Sequence, residues 1–211
     1  MTTDSSTPRP PQQKRSRAAM ERILGAAQEL VAERGAAALT IADVAVRAEV
    51  AVGTIYSRFT GKDALLAAVQ DRWLDQLIAR HQANRTAVTA TSADFQDTVA
   101  RCVSGMIGTF RDHADLIREF ALRNAALPVQ DNAALRKLHE VFTQLCDVVL
   151  AHPGRPDEID RRRVALAMRA AQSILEWRVA TPVAVAPDND WDTLSQDLPR
   201  LAMNHLSGNT S

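Results

Sequence analysis

Apolar residues recur along this chain at helical spacing, and no stretch alternates with period two for long enough to suggest a sheet. Ala19, Ile23, Ala26, Ala27, Leu30 and Val31 share one face of a helix predicted over 16–34, which Gly35 ends. Thr40 is placed to cap a second helix, with Asp43 as an acidic partner three residues on. Ile41, Val44, Ala45 and Ala48 form its buried face. A short third helix is predicted over 52–59, anchored by Val52, Ile55 and Phe59. Lys62-Asp63 then open a long fourth helix to about residue 84, lined by Leu65, Leu66, Val69, Trp73, Leu77 and Ile78. After a polar Thr/Ala joint, four or five more helices are predicted at about 93–111, 113–126, 131–151, 157–180 and 189–206. Asp112-His113, Leu127-Pro128, the run 152–156, Thr181-Pro182 and Pro187-Asp188 mark the breaks. The predicted fold is all-α, with an N-terminal three-helix bundle and a larger C-terminal helical domain.

The first sixteen residues have no apolar period, and a disordered arm carrying Lys14 and Arg15 is expected there. With Arg17, these cations are candidates for DNA phosphates or a minor groove. The expected organisation is therefore an arm over 1–16, a helix-turn-helix domain over 17–62 and a second helical domain over 63–211.

The formal net charge is zero, but residues 1–62 carry nine Lys/Arg against six Asp/Glu, so the excess of positive charge lies at the N-terminal end. No apolar run approaches the ~18 residues that a membrane span needs, and no secretory signal is apparent, so a cytoplasmic location is expected. Cys102 and Cys146 lack CxxC spacing and are expected as buried free thiols. The histidines 81, 113, 139, 152 and 205 are scattered. His139 and Cys146 lie two turns apart, about 10.5 Å of helical rise, too far to share a metal. No HExxH, P-loop or nucleophile elbow occurs, so neither an enzyme nor a cofactor or metal site is expected.

The segment from Thr40 to Lys62 carries the candidate chemistry. Two short helices with a tight joint have the shape of a helix-turn-helix, which presents side chains and amides to the major groove of duplex DNA. Small residues let such a helix approach base edges, while hydroxyls and cations hold phosphates. Gly53 removes a side chain where a backbone amide can meet DNA, and Thr54 offers both a methyl and a hydroxyl. Tyr56 and Ser57 supply hydroxyls, the Tyr56 ring being expected to pack on the bundle. Lys62, opening a helix, is placed to share a phosphate with free helix amides.

This stretch resembles the tetracycline-repressor family of bacterial transcriptional regulators. The resemblance rests on Thr40, Ile41-Ala42, Val44-Ala45, Ala48, Val50, Gly53-Thr54-Ile55-Tyr56, Phe59, Lys62 and Leu65-Leu66. It covers about residues 17–70 and extends loosely over the rest by helix count and length. It implies Ala42, Val52, Gly53 and Thr54 as base-edge readers, and Thr40, Tyr56, Ser57, Arg58 and Lys62 as phosphate binders. Two positions depart from the family pattern. Glu49 stands where the turn usually has Gly, and Ala51 where a Ser usually caps the third helix. Val52, polar in many relatives, suggests apolar contact with a thymine methyl.

The resemblance also implies a homodimer on a two-fold operator, with an interface on the last two long helices. Val164, Ala167, Ala171, Ile174 and Leu175 are expected on the first of these, and Leu194, Leu198 and Leu201 on the second. Between interface and DNA module it implies a pocket for a hydrophobic small-molecule effector. Candidate liners are Trp73, Leu77, Phe95, Met106, Phe110, Phe120, Phe142 and Trp177. Arg161-Arg162-Arg163 is expected to be a solvated helix start. The expected function is a ligand-responsive repressor. The alternative is an all-α interaction protein whose helix-turn-helix binds DNA without sequence preference. A footprint on a two-fold sequence separates the two.

Overall fold

A computed structural model describes residues 11–124, 133–181 and 190–208. Residues 1–10 of the expected arm, the breaks at Leu127-Pro128 and Pro187-Asp188, and Pro182 lie outside the described residues. Among the described residues there are nine α-helices and no strand. They are α1 (Pro11–Ala38), α2 (Ile41–Arg47), α3 (Val52–Tyr56), α4 (Lys62–Thr91), α5 (Phe95–Asp112), α6 (Ala114–Asn124), α7 (Ala133–Leu150), α8 (Arg161–Ala180) and α9 (Trp191–Ser207). The chain divides into two compact units, Met1–Trp73 and Leu74–Ser211. That division falls inside α4, later in the chain than the boundary expected at 62/63.

Two helix ends differ from expectation for physical reasons. The chain is already helical from Pro11, so residues 11–16 are not an irregular arm. Proline suits the first helical position, where its missing N–H has no intrahelical partner to lose, and Gln, Lys and Arg are good helix formers. At its far end, α4 runs on to Thr91 through a stretch whose threonines suggest a joint. The hydroxyls of Thr86, Thr89 and Thr91 donate back to the carbonyls of Gln82, Arg85 and Ala87 at 3.1, 2.9 and 2.8 Å. The helix itself thereby satisfies them. Gly35 behaves as expected: its φ of 80° interrupts α1 in a conformation that glycine adopts without strain.

In the N-terminal unit, α1 packs on α2 and α2 on α3. Ile23, Ala27, Leu30 and Val31 of α1, Val44 and Ala45 of α2, Ile55 of α3 and Leu65, Leu66 and Val69 of α4 are buried. Polar ties fix α1 against α2. Arg47 donates to both Glu33 carboxylate oxygens at 2.9 Å and to Glu29 at 3.3 Å, and Arg22 donates to the Ala48 carbonyl at 3.2 Å.

In the C-terminal unit, α5 packs against α7, α8 and α9, and α6 against α8. Its core draws on Val99 and Val103 of α5, Val149 of α7, Val164, Met168 and Leu175 of α8, and Leu198, Ala202 and Leu206 of α9. Aspartates start three of these helices. Asp94 accepts from the Asp97 amide, Asp160 from that of Arg163, and Asp190 from those of Asp192 and Thr193. Asp97 also accepts from the amide of Ala93, the residue before the cap, which ties the incoming chain to the first turn of α5. Among the described residues no helix is long and apolar enough to cross a membrane.

Candidate nucleic-acid interface

The two helices of the turn are built differently. Thr40 caps α2: its hydroxyl oxygen accepts from the Asp43 amide at 3.1 Å, and its hydroxyl donates to the Asp43 carboxylate at 2.7 Å. At the other end, the Glu49 amide donates to the Val46 carbonyl at 3.2 Å and the Val50 amide to that of Ala45 at 3.0 Å. These two bonds form a Schellman motif, which needs a left-handed residue after the cap. Glu49 fills it with φ 54°, among the described residues the only non-glycine with positive φ. A side chain costs roughly 1–2 kcal/mol in that conformation, so the departure from Gly at 49 strains the joint as well as adding an anion.

Helix α3 has only five residues, and its N-cap, Ala51, offers no side-chain hydrogen bond. Ile55 is its one fully buried residue, and Phe59 follows it into the core. Val52, expected as an anchor, is 42% exposed instead, because a five-residue helix has room for one inward position. Tyr56 is 56% exposed, so its ring does not pack on the bundle as expected; it stands one residue past Ile55 and points away from the core. Gly53 and Ser57 are exposed as well, Thr54 half-buried. A Cβ built on Gly53 would meet nothing within 4 Å. Packing therefore does not require glycine there, and glycine costs a helix about 1 kcal/mol relative to alanine.

Among the implied DNA contacts, Ala42 and Thr40 are exposed at the start of α2. Four of the implied phosphate binders already have partners, Thr40 through the Asp43 carboxylate described above. The Ser57 hydroxyl donates to the Thr54 carbonyl at 2.9 Å. Arg58 donates to the same carbonyl at 2.8 Å and to the Ser16 hydroxyl at 3.2 Å. The Lys62 ammonium donates to the Ala37 carbonyl at 2.7 Å, at the end of α1. Residue spacing gives no hint of that bond, because it joins positions 25 apart.

In the C-terminal unit, Leu77, Phe95 and Phe120 are buried, and Met106, Phe110 and Phe142 pack partly buried against the core. Trp73 is buried too, but at the end of the N-terminal unit. Trp177 is 52% exposed, so it stands on the outside of α8 and does not line an interior space. The expected interface residues divide in a similar way. Val164, Ala167, Ala171, Leu175, Leu194 and Leu198 are buried within the unit, because α5, α7 and each other already cover the main apolar stripes of α8 and α9. Ile174 is half-buried, and Leu201 is exposed. The apolar side chains that α8 and α9 leave outside are Leu166, Trp177 and Leu201. Arg161 pairs with Asp147 and Arg163 donates to the His205 carbonyl at 3.1 Å, so two of the three arginines expected as a solvated start have partners.

The titratable groups fit this picture. Cys102 and Cys146 are buried, and burial pushes their thiols up to about 12 and about 11, so both stay protonated. Burial holds the His81 imidazole below its ordinary pKa, and the nearby Arg85 charge adds to the effect. Among the described residues no three His, Cys, Asp or Glu gather as a metal site.

An all-α chain with a helix-turn-helix unit followed by a larger helical unit is a recognisable class of protein. Residues 23–69 match the family model described as bacterial regulatory proteins, tetR family. The likeness to that family lies in the helix-turn-helix unit. The HTH-type transcriptional repressor ComR of Escherichia coli (strain K12) is 31% identical over 83 residues. That match covers 37% of this chain and 40% of the repressor, so it spans well under half of the relative's length. Among solved structures, a transcriptional regulator from Rhodococcus sp. Rha1 superposes with a TM-score of 0.65 at 22% identity, covering 89% of this chain and 96% of that one. FadR from Bacillus subtilis, in complex with stearoyl-CoA, superposes with a TM-score of 0.57 at 21% identity, covering 90% and 99%. Those likenesses show a shared fold that takes in the C-terminal unit.

Proposed function

We propose that the chain is a dimeric, sequence-specific DNA-binding regulator of transcription that a small hydrophobic molecule releases from its operator. One observation carries this reading: α3 commits a single residue, Ile55, to the core and turns Val52, Gly53, Tyr56 and Ser57 to solvent, with open space at Gly53. A helix that gains so little from packing and forgoes a cap is kept for an outside partner. Small, uncharged readers suit close approach to base edges, Val52 against a thymine methyl and Thr54 against a methyl or an acceptor. Tyr56 offers its hydroxyl to a phosphate from the surface, and Thr40 does so by giving up its bond to the Asp43 carboxylate. Ser57, Arg58 and Lys62 exchange an internal carbonyl partner for a phosphate on binding, which moderates their net contribution.

In the dimer, the outer apolar positions Leu166, Trp177 and Leu201 face the second copy, in place of the stripe residues already buried. The effector enters the C-terminal unit among Leu77, Phe95, Met106, Phe110, Phe120 and Phe142. Its hydrophobic character is supported by the apolar nature of those side chains and by the stearoyl-CoA in complex with the Bacillus subtilis FadR. Helix α4 runs from one unit into the other and is the element through which effector binding changes the spacing of the readers. Repression is supported by the name of the Escherichia coli relative.

Selection of bound fragments from the source genome tests the reading. The expected product is a two-fold sequence whose half-sites lie about 34–36 Å apart or a multiple of that, with a dimer in equilibrium sedimentation. Binding that is salt-sensitive but blind to sequence would overturn it in favour of a general interaction protein.

A further inference from the structure

We propose that the first turns of α1 form a second phosphate-binding surface, which takes the backbone of duplex DNA beside the half-site that α3 reads. This rests on the DNA-binding role proposed for α3. The candidate groups are Lys14, Arg15 and Arg17, all exposed on a helix that begins at Pro11.

Their lack of partners sets them apart. Every other Lys or Arg described in the N-terminal unit is engaged by the protein. Arg22 holds the Ala48 carbonyl, Arg34 lies 4.0 Å from Asp43, Arg47 holds Glu29 and Glu33, and Arg72 holds Glu21. Arg58 and Lys62 are bonded to carbonyls within the unit. Among the described residues, Lys14, Arg15 and Arg17 make no hydrogen bond or ion pair. Nor is a carboxylate of α1 free to neutralise them, since Glu21, Glu29 and Glu33 are already paired with Arg72 and Arg47. The first turn of α1 holds no acidic residue. Cations at the start of a helix oppose its dipole, so these three weaken the free protein's helix and serve no fold purpose.

Their position supplies the ligand. Ser16 lies among them, and its hydroxyl accepts from Arg58 at 3.2 Å. Arg58 in turn donates to the carbonyl of Thr54 in α3 at 2.8 Å. This chain of bonds fixes the start of α1 at the C-terminal end of the reading helix, next to the exposed Tyr56 and Ser57. Lys14 and Arg17 are three apart and share a helix face, with Arg15 flanking them. A polyanion that meets α3 therefore meets these cations next. Charges on long flexible stems carry no base information, so the surface contributes affinity and salt dependence without sequence preference.

The test compares the full-length wild type with a K14A/R15A/R17A variant by salt titration on three duplexes. One is long, with the selected operator at its centre; one is trimmed to the operator; one is long and of random sequence. On the long operator duplex, the slope of log affinity against log salt is expected to fall by roughly two to three per subunit, with about a tenfold loss of affinity at moderate salt. Trimming the flanks should weaken the wild type and leave the variant unchanged. A K14R/R15K/R17K variant should restore the slope, and thermal unfolding without DNA should find the alanine variant no less stable than wild type. An unchanged slope would overturn the proposal. So would a reduced slope that trimming does not reproduce, since the cations would then act inside the half-site. If no two-fold operator is selected, the role of α3 fails. The random-sequence duplex then decides separately whether the cations meet phosphate: a reduced slope supports that part and an equal slope sinks it.

Discussion

Helices α2 and α3 are neighbours of similar length, and they use their residues in opposite ways. Helix α2 is capped by Thr40, closed by a Schellman motif, tied to α1 through Arg47 and buried through Val44 and Ala45. Helix α3 has no side-chain cap, one buried residue, and a glycine that no neighbour requires. The first is a fully satisfied structural element. The second is held in place at minimal investment, with most of its surface free. A helix meant only to complete a bundle would be expected to look like α2, and the contrast fits the proposal that α3 is the helix that reads DNA.

The largest effect expected from this contrast is at the single anchor. Ile55→Ala should destabilise the protein by roughly 2–5 kcal/mol in chemical denaturation and abolish operator binding with it. A small change would mean that α3 is held from elsewhere. Gly53→Ala should separate the two properties. It is expected to raise the stability of the free protein by about 0.5–1 kcal/mol, because a Cβ there meets nothing. Affinity for the operator should fall about tenfold or more, or ~1.4 kcal/mol, because DNA would meet it. A variant that binds as tightly as wild type would remove the argument from open space.

The caps should respond with opposite signs. Thr40→Ala is expected to cost about 1 kcal/mol, whereas Ala51→Ser should gain up to about 1 kcal/mol. Glu49→Gly should gain a similar ~1 kcal/mol by relieving the left-handed side chain. Melting curves of the free protein check all three. If Thr40→Ala and Ala51→Ser shift stability in the same direction, the two helices do not differ in the way their hydrogen bonds imply.

How much of the fold and the site is legible in the residues alone depends on the range of the interaction. The succession of helices, the Thr40 cap, the Gly35 break and the place of Ile55 follow from local rules that reach a few residues along the chain. The start of α1 at Pro11 and the extension of α4 to Thr91 do not, because polar residues that look like a joint can be satisfied by the helix itself. Long-range pairs leave no mark on spacing. Nothing in it connects Lys62 with the Ala37 carbonyl or Arg58 with Ser16, and both bear on the candidate site. Periodicity also does not say which covering an apolar stripe has. Val164 and Leu175 lie on a face that the unit's own helices cover, while Leu166, read as part of the same broad stripe, and Trp177 remain outside.

The smallest expected effect concerns the tie that α2 has to α1. A hydrogen bond from Arg47 holds the Glu33 carboxyl below the ordinary value of 4.5, with the charges of Arg47 and Arg34 adding to the effect after burial has opposed it. For an acid with a lowered folded-state pKa, the associated stability is fully present above the unfolded value and disappears as pH falls through the folded one. The pair is exposed, so solvent screens it and the effect is small. Wild type should therefore exceed Glu33→Gln in stability at neutral pH by a small margin. That margin should close as the solution is acidified below about pH 4.5, and high salt should narrow it at neutral pH. Denaturation midpoints taken across this range check it. A margin that does not vary with pH would assign the tie to side-chain packing in place of charge, and the polar clamp would no longer distinguish α2 from α3.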